Sequence, residues 1–588
     1  MNGLYRFYKE LQRRNVIKAG ISYLVVSWVL LQVVALIGDI LNAPSWLGRT
    51  LLITLIILLP LWLIVSWYYE LTPEGLKKTV NVSKETSIAK KTSQKLNQFI
   101  IIFLTLAVIL LVVDRFFISE RIRSEMIAEY TPPSTTHAIA VLPFSDLSPE
   151  GDHAYFADGL SEELLNLLSR IRELKVTSRT SSFSFKNSEL PVPDIAKALG
   201  VDYILEGSIR KNENQLRITA QLINASTDEH IWSQNFDRTF ENIFSIQDEV
   251  ASAVVNTLEV ELLGAHPVTQ KTNPEVYRLY LKAGQAYLKD SNEDILLAEE
   301  LLTQALAIDS TYTPAKILLV KTHQLQANYG ITDFHLGNQR AIKIIEKVIE
   351  ANPKHAEAIA IRGDLALAYE WNFSKAERLI EKALQLEPGN PEVIGYAATL
   401  ELSLANIEKS ITLHEYATTL DPLNPRVYFG LGLAHFCANN LEAAEVAFRK
   451  SEEIREDGWA LQYYISKVLM LKGNYKEALT VLEKERDERW RLLGLVSIYH
   501  AMGDDAKSLR ALKNLSEKYG DEMAYQIAQA YAFREERKNA FNWLERAYDV
   551  HDLGLNEILS EPDFKSLYVD SRWEVFIKKL GFYKERSK

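Results

Sequence analysis

The sequence predicts a multidomain membrane protein with three transmembrane α-helices, a small α/β domain with a mixed sheet, and a C-terminal all-α repeat solenoid. Three observations support this prediction. Long apolar stretches occupy residues 1–118, strand and helix patterns alternate across residues 137–264, and a regular helical period follows from residue 275. Because 588 residues exceed what one hydrophobic core accommodates, several domains are expected.

The apolar stretches cover residues 19–37, 51–69 and 96–113, and each approaches the roughly 20 residues that span a bilayer. A cleaved signal peptide is the alternative for the first stretch. That stretch lacks a small-residue cleavage site, however, and another apolar stretch follows closely. The sequence therefore predicts a membrane anchor over residues 19–118, preceded by a short N-terminal segment of residues 1–18.

Positive charges determine the predicted orientation of this anchor. Lysine and arginine are concentrated in residues 1–18 and in the loop of residues 70–98, and cations near spans resist translocation. Both segments are therefore predicted to be cytoplasmic, and the chain beyond residue 118 to lie across the membrane. In a bacterium this orientation corresponds to a multi-pass protein of the inner membrane, with periplasmic C-terminal domains and the lipid bilayer as a partner.

A proline-bearing linker, residues 119–136, leads into an α/β domain that is predicted over residues 137–264. Strand-like and helix-like segments alternate through this region. Two of them, "VDYILEGSIRK" and "QLRITAQLINA", alternate apolar and polar residues on either side of a turn-prone centre. This pattern is typical of a β-hairpin.

An acidic loop follows the first predicted strand of this domain and carries Asp146, Glu150 and Asp152, with Asp158 close behind. Asp158 is explained by a helix N-cap, and the other acids by a turn-rich run that faces water. Calcium would require the regular spacing of an EF-hand loop, which this run lacks. An active or ligand-binding site at this loop stays an alternative, and it predicts a deep pocket lined by these acids.

Composition argues against several other functions. A net charge of −11 disfavours a nucleic-acid partner, because phosphates are normally met by a basic surface. The single cysteine, Cys437, excludes intrachain disulfides and thiolate metal clusters. Phosphate-binding glycine loops, zinc-binding helices and serine-nucleophile motifs are absent from the sequence. We therefore predict no enzyme activity, no cofactor and no metal.

The helical period is marked by Pro353, Pro388 and Pro422, which are 35 and 34 residues apart. The unit that begins at residue 425 places large and small residues in a regular order: Tyr428, Leu431, Gly432, Ala444 and Phe448. This pattern resembles the tetratricopeptide repeat, in which small residues let two helices approach each other. The resemblance implies a solenoid over residues 275–550, with residues 551–588 as a terminal cap.

In tetratricopeptide proteins the first helix of each repeat lines a groove that binds a partner. Mapped onto two units, the resemblance assigns seven groove residues: Arg426, Phe429, Leu433, Phe436, Tyr463, Lys467 and Met470. Their aromatic, apolar and cationic side chains predict a protein partner with hydrophobic anchors and some acidic character. Self-association through the solenoid ends is a further possible contact.

Several segments of the middle domain carry a second resemblance: "AVLPF", "YFADGLSEEL", "SRTSSFSFK", "ALGVDYILEGSIRK" and "IQDEVASAVV". They are similar to the TolB N-terminal-like domain that precedes tetratricopeptide repeats in bacterial membrane proteins, and the similarity extends to the predicted anchor. Some relatives carry a nucleotide-cyclase, DNA-binding or kinase domain ahead of the anchor. About 18 residues precede the first apolar stretch here, which is too few for such a domain.

The leading hypothesis is therefore a non-catalytic, membrane-anchored scaffold whose periplasmic repeats bind a protein partner. One alternative is a sensory or regulatory subunit that signals across the membrane to a separate cytoplasmic cyclase, kinase or regulator. The basic loop of residues 70–98 would provide its contact. A second alternative is a small-ligand receptor or enzyme centred on the α/β domain.

Overall fold

The structure is a computed structural model that describes scattered residues between 16 and 31 together with ten continuous ranges. These are residues 46–72, 75–78, 137–148, 153–171, 173–212, 215–239, 243–258, 269–289, 291–456 and 458–582. The chain divides into two compact units, Met1–Glu125 and Met126–Lys588. Each unit is described separately below.

The first unit contains helix α1 and a β-hairpin. Helix α1 is Trp46–Tyr68, with Pro60 inside it, and the hairpin pairs β1 (Tyr69–Thr72) with β2 (Gly75–Lys78) in antiparallel register. The hydroxyl of Tyr23 donates a hydrogen bond of 2.8 Å to the backbone carbonyl of Leu55 in α1. Two of the apolar stretches therefore contact each other.

The predicted three-helix membrane anchor is wrong for the part of the chain that the structure describes. No helix there combines the length and the apolar character needed to cross a membrane, which also overturns the predicted multi-pass location in a bacterial inner membrane. An apolar run indicates that a segment avoids water, but it does not by itself set the length and composition of the helix that forms. The stretch at residues 96–113 lies outside the described residues, as do residues 79–98 of the predicted cytoplasmic loop.

The second unit begins with a mixed six-stranded sheet. Its strands are β3 (His137–Val141), β4 (Ser145–Asp146), β5 (Leu174–Val176), β6 (Tyr203–Asn212), β7 (Gln215–Asn224) and β8 (Glu229–Thr239). The strand order is β5-β3-β6-β7-β8, and β4 pairs with β6. Strand β3 is parallel to both neighbours, whereas β6, β7 and β8 form antiparallel pairs. The predicted hairpin is therefore β6–β7.

Four helices accompany this sheet: α2 (Ala154–Ser169), α3 (Arg179–Phe183), α4 (Val192–Leu199) and α5 (Ile243–Thr257). Buried residues of α2 and α5 share a core with one face of the sheet, and α4 covers the other face. The first core continues without a break into the helices that follow α5. The α/β domain and the start of the solenoid are consequently packed as one body.

The solenoid consists of sixteen helices in eight consecutive pairs. They are α6 (Pro274–Lys289), α7 (Asn292–Ile308), α8 (Thr313–Asn328), α9 (Phe334–Ala351), α10 (Ala356–Ala368), α11 (Phe373–Leu386), α12 (Pro391–Ser403), α13 (Ile407–Leu420), α14 (Pro425–Cys437), α15 (Leu441–Ile454), α16 (Leu461–Leu471), α17 (Tyr475–Leu482), α18 (Glu488–Ala501), α19 (Asp505–Tyr519), α20 (Ala524–Phe533) and α21 (Arg537–Asp549). Each pair packs its two helices together, as tetratricopeptide repeats do.

Local sequence explains where several first helices begin. Asn390 and Asn424 act as N-caps, and their side chains accept hydrogen bonds from backbone amides at the starts of α12 and α14. A proline occupies the first helical position in both cases, where its missing amide is not needed. Helices α10, α12 and α14 begin 35 and 34 residues apart. The predicted helical period is therefore confirmed.

The chain after α21 does not continue the pairs. It forms two 3₁₀ helices, Leu553–Glu557 and Pro562–Leu567, and the short helix α22 (Ser571–Lys579). The first 3₁₀ helix contacts α10, α12 and α20. Because α10 and α20 belong to pairs five apart, one short element reaches both only if the array curls around a common axis. We call the surface that the first helices turn toward this axis the inner face.

Aromatic contacts close this curl. Trp371, between α10 and α11, stacks on His551 with ring centroids 3.9 Å apart and lies 5.2 Å from the ring of Tyr548. Phe373 stacks on Phe582 at 3.7 Å. The third helix pair is thus joined to the end of the chain, and residues 551–582, which we call the C-terminal segment, lie against the inner face.

Candidate functional site

The inner face has a polar half, formed by α8, α10 and α12. The ammonium group of Lys321 lies 2.8 Å from the carboxylate of Glu357 and 2.6 Å from that of Glu392. The amide of Gln324 donates a hydrogen bond of 3.1 Å to Asp364. These contacts join the first helices of three consecutive pairs.

Burial and neighbouring charges shift the pKa values of Asp364 and Lys321 in this half. It raises the pKa of Asp364 to about 6, although the hydrogen bond from Gln324 opposes the shift. Burial alone would lower the pKa of Lys321, but the nearby carboxylates of Glu357 and Glu392 outweigh it and raise that pKa well above its ordinary value. The polar half therefore holds one fixed positive charge among titratable acids.

The other half of the inner face begins with α14 and α16, which carry the seven predicted groove residues. Arg426 is exposed, and Phe429 and Leu433 are partly exposed. Phe436, Tyr463, Lys467 and Met470 are all at most 2% exposed. Only three of the seven are accessible in this structure.

The C-terminal segment covers the buried positions. The ammonium group of Lys467 lies 2.5 Å from Asp563 and 3.9 Å from Glu561, and it donates a hydrogen bond of 3.2 Å to the hydroxyl of Tyr463. It also sits 5.4 Å from the ring centroid of Phe436, within range of a cation–π interaction. The chain thus supplies its own acidic ligand for Lys467.

Lys467 and the two acids at this contact shift one another's pKa values. Burial alone would lower the pKa of Lys467, but the adjacent carboxylate of Asp563 outweighs it, so that pKa lies well above its ordinary value. Burial raises the pKa of Glu561 to about 7 despite the nearby lysine. Lys467 is therefore held positively charged, and Asp563 is its principal partner.

One exposed aromatic residue beside this half was not predicted from the sequence. Trp459 is 64% exposed, and its ring lies 6.0 Å from Phe429 and 4.8 Å from Trp490, both in edge-to-face arrangements. Ala460, which follows it, adopts a left-handed backbone conformation with φ of 50°. The segment "DGWAL" lacks the Asn-Pro pair that starts α12 and α14, and that departure was a signal for an unusual turn.

The contacts that hold the α/β domain on the solenoid were likewise not predicted from the sequence. The hydroxyl of Ser181 donates a hydrogen bond of 2.5 Å to Asp421 and accepts one of 2.8 Å from the backbone amide of Leu423. The hydroxyl of Tyr280 donates to Glu163 at 3.1 Å. Burial, with the neighbouring negative charge of Glu162, raises the pKa of Glu163 to about 7. These polar contacts fix the domain along one edge of the solenoid.

The acids of the middle-domain loop are engaged in local structure. Asp146 accepts hydrogen bonds of 2.9 Å from the backbone amides of Ser148 and His153. Burial alone would raise its pKa, but these hydrogen bonds outweigh burial and lower it. Asp158 forms an ion pair of 2.5 Å with Lys186. Helix α2 begins four residues before Asp158, so the predicted N-cap there is wrong.

Two further acids of that loop, Glu150 and Asp152, lie outside the described residues. Among the residues that the structure describes, no three His, Cys, Asp or Glu side chains gather as a metal site would require. Cys437 lies on α14 beside the C-terminal segment, and burial raises the pKa of its thiol well above the ordinary value.

The Glu557→Gln substitution is expected to reduce the pH dependence of stability. Burial raises the pKa of Glu557 from 4.5 to about 7, and the groups that face it are Glu561, Cys437, Tyr464 and Tyr525. The folded state therefore binds more protons than the unfolded state between those pH values, so stability falls as pH rises from 4.5 to 7.

At pH 8 the Glu557→Gln variant should be more stable than the unmodified chain by about 3 kcal/mol, and at pH 4 the two should be equal. Urea denaturation at several pH values measures this difference. A constant difference between the two proteins across the pH range would contradict the assignment, because it would show an effect unrelated to ionisation.

Comparison with known proteins gives three kinds of similarity. A sequence model described as the second domain of HilA/YgeH-like transcriptional regulators matches residues 135–253. The chain is 34% identical over 258 residues to "Putative adenylate cyclase 3" of Rhizobium meliloti, covering 42% of each chain. It is 24% identical over 191 residues to Superkiller protein 3 of Schizosaccharomyces pombe, covering 30% of this chain and 14% of that one. The chain spans less than half the length of these curated relatives.

Among solved structures, the chain is similar to a tetratricopeptide repeat protein from Parabacteroides merdae. The sequence identity is 16%, the TM-score is 0.32, and the match covers 45% of this chain and all of the other. A tetratricopeptide-type solenoid is also what the eight helix pairs and their spacing describe.

Proposed function

We propose that this protein is a non-catalytic scaffold that binds a protein partner on the inner face of its solenoid. The observation that carries the proposal is the accessible part of that face, to which several first helices contribute charged and aromatic side chains. Lys321, Glu392, Arg426 and Phe429 all contribute to it and are partly or fully exposed. Such a combination of arginine and aromatic groups is typical of binding hot spots.

The partner's contact is tested by site-specific photocrosslinking in the organism that makes the protein. A photoreactive phenylalanine analogue is placed at Phe429 and, one pair earlier on the inner face, at Thr399, which is exposed. The matched control is Val446, which is 71% exposed on α15, the second helix of its pair. One protein should crosslink at residues 399 and 429 and not at residue 446.

An affinity measurement with the identified partner completes the test. The Arg426→Ala, Phe429→Ala variant should bind the purified partner about tenfold more weakly, which is the loss of one modest hot spot. Equal crosslinking at all three positions, or unchanged affinity of the variant, would contradict the proposal. Arg426 is exposed, whereas Phe429 is partly buried and its ring lies 5.6 Å from that of Phe448, so circular dichroism must first verify that the variant is folded.

A second candidate function is regulation of a nucleotide cyclase by this chain. The similarity to the Rhizobium meliloti relative favours it, since that protein carries the name of a cyclase. If the crosslinked partner is a nucleotide cyclase, adding the purified chain should change its rate of product formation at least about twofold. An unchanged rate at saturating concentration would contradict regulation and leave the scaffold function in place.

A further inference from the structure

The C-terminal segment resembles a bound ligand more than a ninth helix pair. The first of its two 3₁₀ helices contacts α10, α12 and α20, and the second contacts α20. Its apolar anchors are fully buried: Leu555, Ile558, Phe564 and Leu567. Two of its acids, Glu561 and Asp563, contact a single cation on the inner face, Lys467.

Two lysines of the inner face, Lys321 and Lys467, differ in where their carboxylate partners come from. Lys321 on α8 receives its two carboxylates, Glu357 and Glu392, from the first helices of the next two pairs. Lys467 on α16 is paired with Glu561 and Asp563, both of which belong to the C-terminal segment. The repeat array neutralises the first lysine by itself, whereas the charge of the second is met by a separate segment.

A buried ammonium group requires a carboxylate partner, because an unpaired charge in this position is strongly unfavourable. Any segment that replaces residues 551–582 on the inner face must therefore bring an acid to Lys467. It must also bring an aromatic or large apolar group to the site of Phe564, which is fully buried one residue after Asp563. A segment that binds here must therefore carry both an acid and a large apolar or aromatic side chain.

We infer that the inner face around Lys467 is a receptor for a partner segment with two carboxylates, two residues apart, followed by an aromatic residue. The inference rests on the proposed scaffold function and specifies the chemistry of its partner. In this structure residues 561–564, "EPDF", occupy the site as an internal competitor. A partner segment with the same chemistry displaces them, so its apparent affinity is reduced by the fraction of receptors already occupied.

The chain contains its own reporter for this exchange. Cys437 is the single cysteine of the sequence, and its thiol is hydrogen-bonded with Ser560 of the C-terminal segment. The thiol is partly buried in this structure, and release of the segment removes its contact with Ser560 and exposes it further. The rate at which a thiol reagent labels Cys437 therefore measures the population in which the segment has left the inner face.

Two variants of the full chain weaken the binding of the C-terminal segment to the inner face in different ways. Glu561→Gln with Asp563→Asn removes the charges that meet Lys467. Gly554→Val keeps every charge, but a Cβ at residue 554 would lie 2.3 Å from the ring of Tyr525. Glu574→Gln, an exposed position on α22, is the control. Circular dichroism verifies that each variant is folded.

The probe is a fluorescent peptide with the sequence of residues 555–568. Both weakened variants should label at Cys437 about tenfold faster than the unmodified chain and the control, and both should bind the peptide about tenfold more tightly. Saturating peptide should slow the labelling again. The same peptide with Glu561→Gln and Asp563→Asn should not bind, and adding Lys467→Met to the first variant should abolish binding.

Three outcomes would overturn the inference: labelling that stays slow in both folded variants, equal binding of the acidic and neutral peptides, or peptide binding that survives Lys467→Met. A doubling of molecular mass in either weakened variant would also overturn it, since the occupant would then be a second copy of this chain. None of these results affects crosslinking at residues 399 and 429, so failure here is distinguishable from failure of the scaffold function.

Discussion

Replacing Lys467 by methionine should lower the free energy of unfolding by about 3 kcal/mol, because it leaves two acids buried without their cation. The lysine is 2% exposed and lies 2.5 Å from Asp563. Methionine has a similar volume, so the loss arises mainly from charge and not from a cavity. Urea denaturation at pH 8, where Glu561 is mostly ionised, measures the effect.

The triple variant Lys467→Met, Glu561→Gln, Asp563→Asn should recover most of this loss, because it removes the acids that the single substitution leaves unpaired. Lys513→Met is the matched control, since that lysine is 72% exposed and pairs with Glu517 at 3.7 Å. Its effect should be under about 0.5 kcal/mol. If both single variants unfold at the same urea concentration, the Lys467 contact does not hold the C-terminal segment.

The repeat architecture was predictable from sequence because its determinants are local. Asparagine caps, prolines at first helical positions and small residues such as Gly432 recur at the spacing of the helix pairs. Each repeat contacts mainly its neighbours, so a periodic pattern in the sequence becomes a periodic structure. The mixed sheet was predictable for a similar reason, since the β6–β7 hairpin joins adjacent segments.

The position of the C-terminal segment could not be predicted in this way. Asp563 meets Lys467 across 96 residues of sequence, and nothing in the local pattern around either residue specifies the other. Lys467 was assigned to a groove for a partner of acidic character, and the structure places an acidic segment of the same chain there. Whether a partner uses this position remains the prediction that the Cys437 experiment tests.

The membrane anchor failed as a prediction for a different physical reason. Hydropathy measures how strongly a segment avoids water, but it does not determine the helix that the segment forms. Tyr23 and Trp62 lie in two separate apolar stretches, and their ring centroids are 6.3 Å apart. Contacts between such stretches are invisible to a sliding window along the sequence.

Two glycines in adjacent first helices should respond in opposite directions to replacement by alanine. A Cβ at Gly432 on α14 would lie 2.5 Å from the ring of Phe448, whereas a Cβ at Gly395 on α12 would meet nothing within 4 Å. Alanine is intrinsically the better helix former at both positions. The difference between the two variants therefore isolates the packing of α14 against α15.

Gly432→Ala should lower the free energy of unfolding by about 2 kcal/mol, because the Phe448 ring is fully buried and cannot withdraw. The ring is held by Phe429 and Tyr464, with both ring centroids 5.6 Å away. Gly395→Ala should raise the free energy of unfolding by about 0.5 to 1 kcal/mol through helix propensity. Urea denaturation followed by tryptophan fluorescence measures both, since Trp459 and Trp490 lie close to the altered pair. Equal effects of the same sign would show that α14 and α15 do not approach each other as closely as the repeat pattern requires.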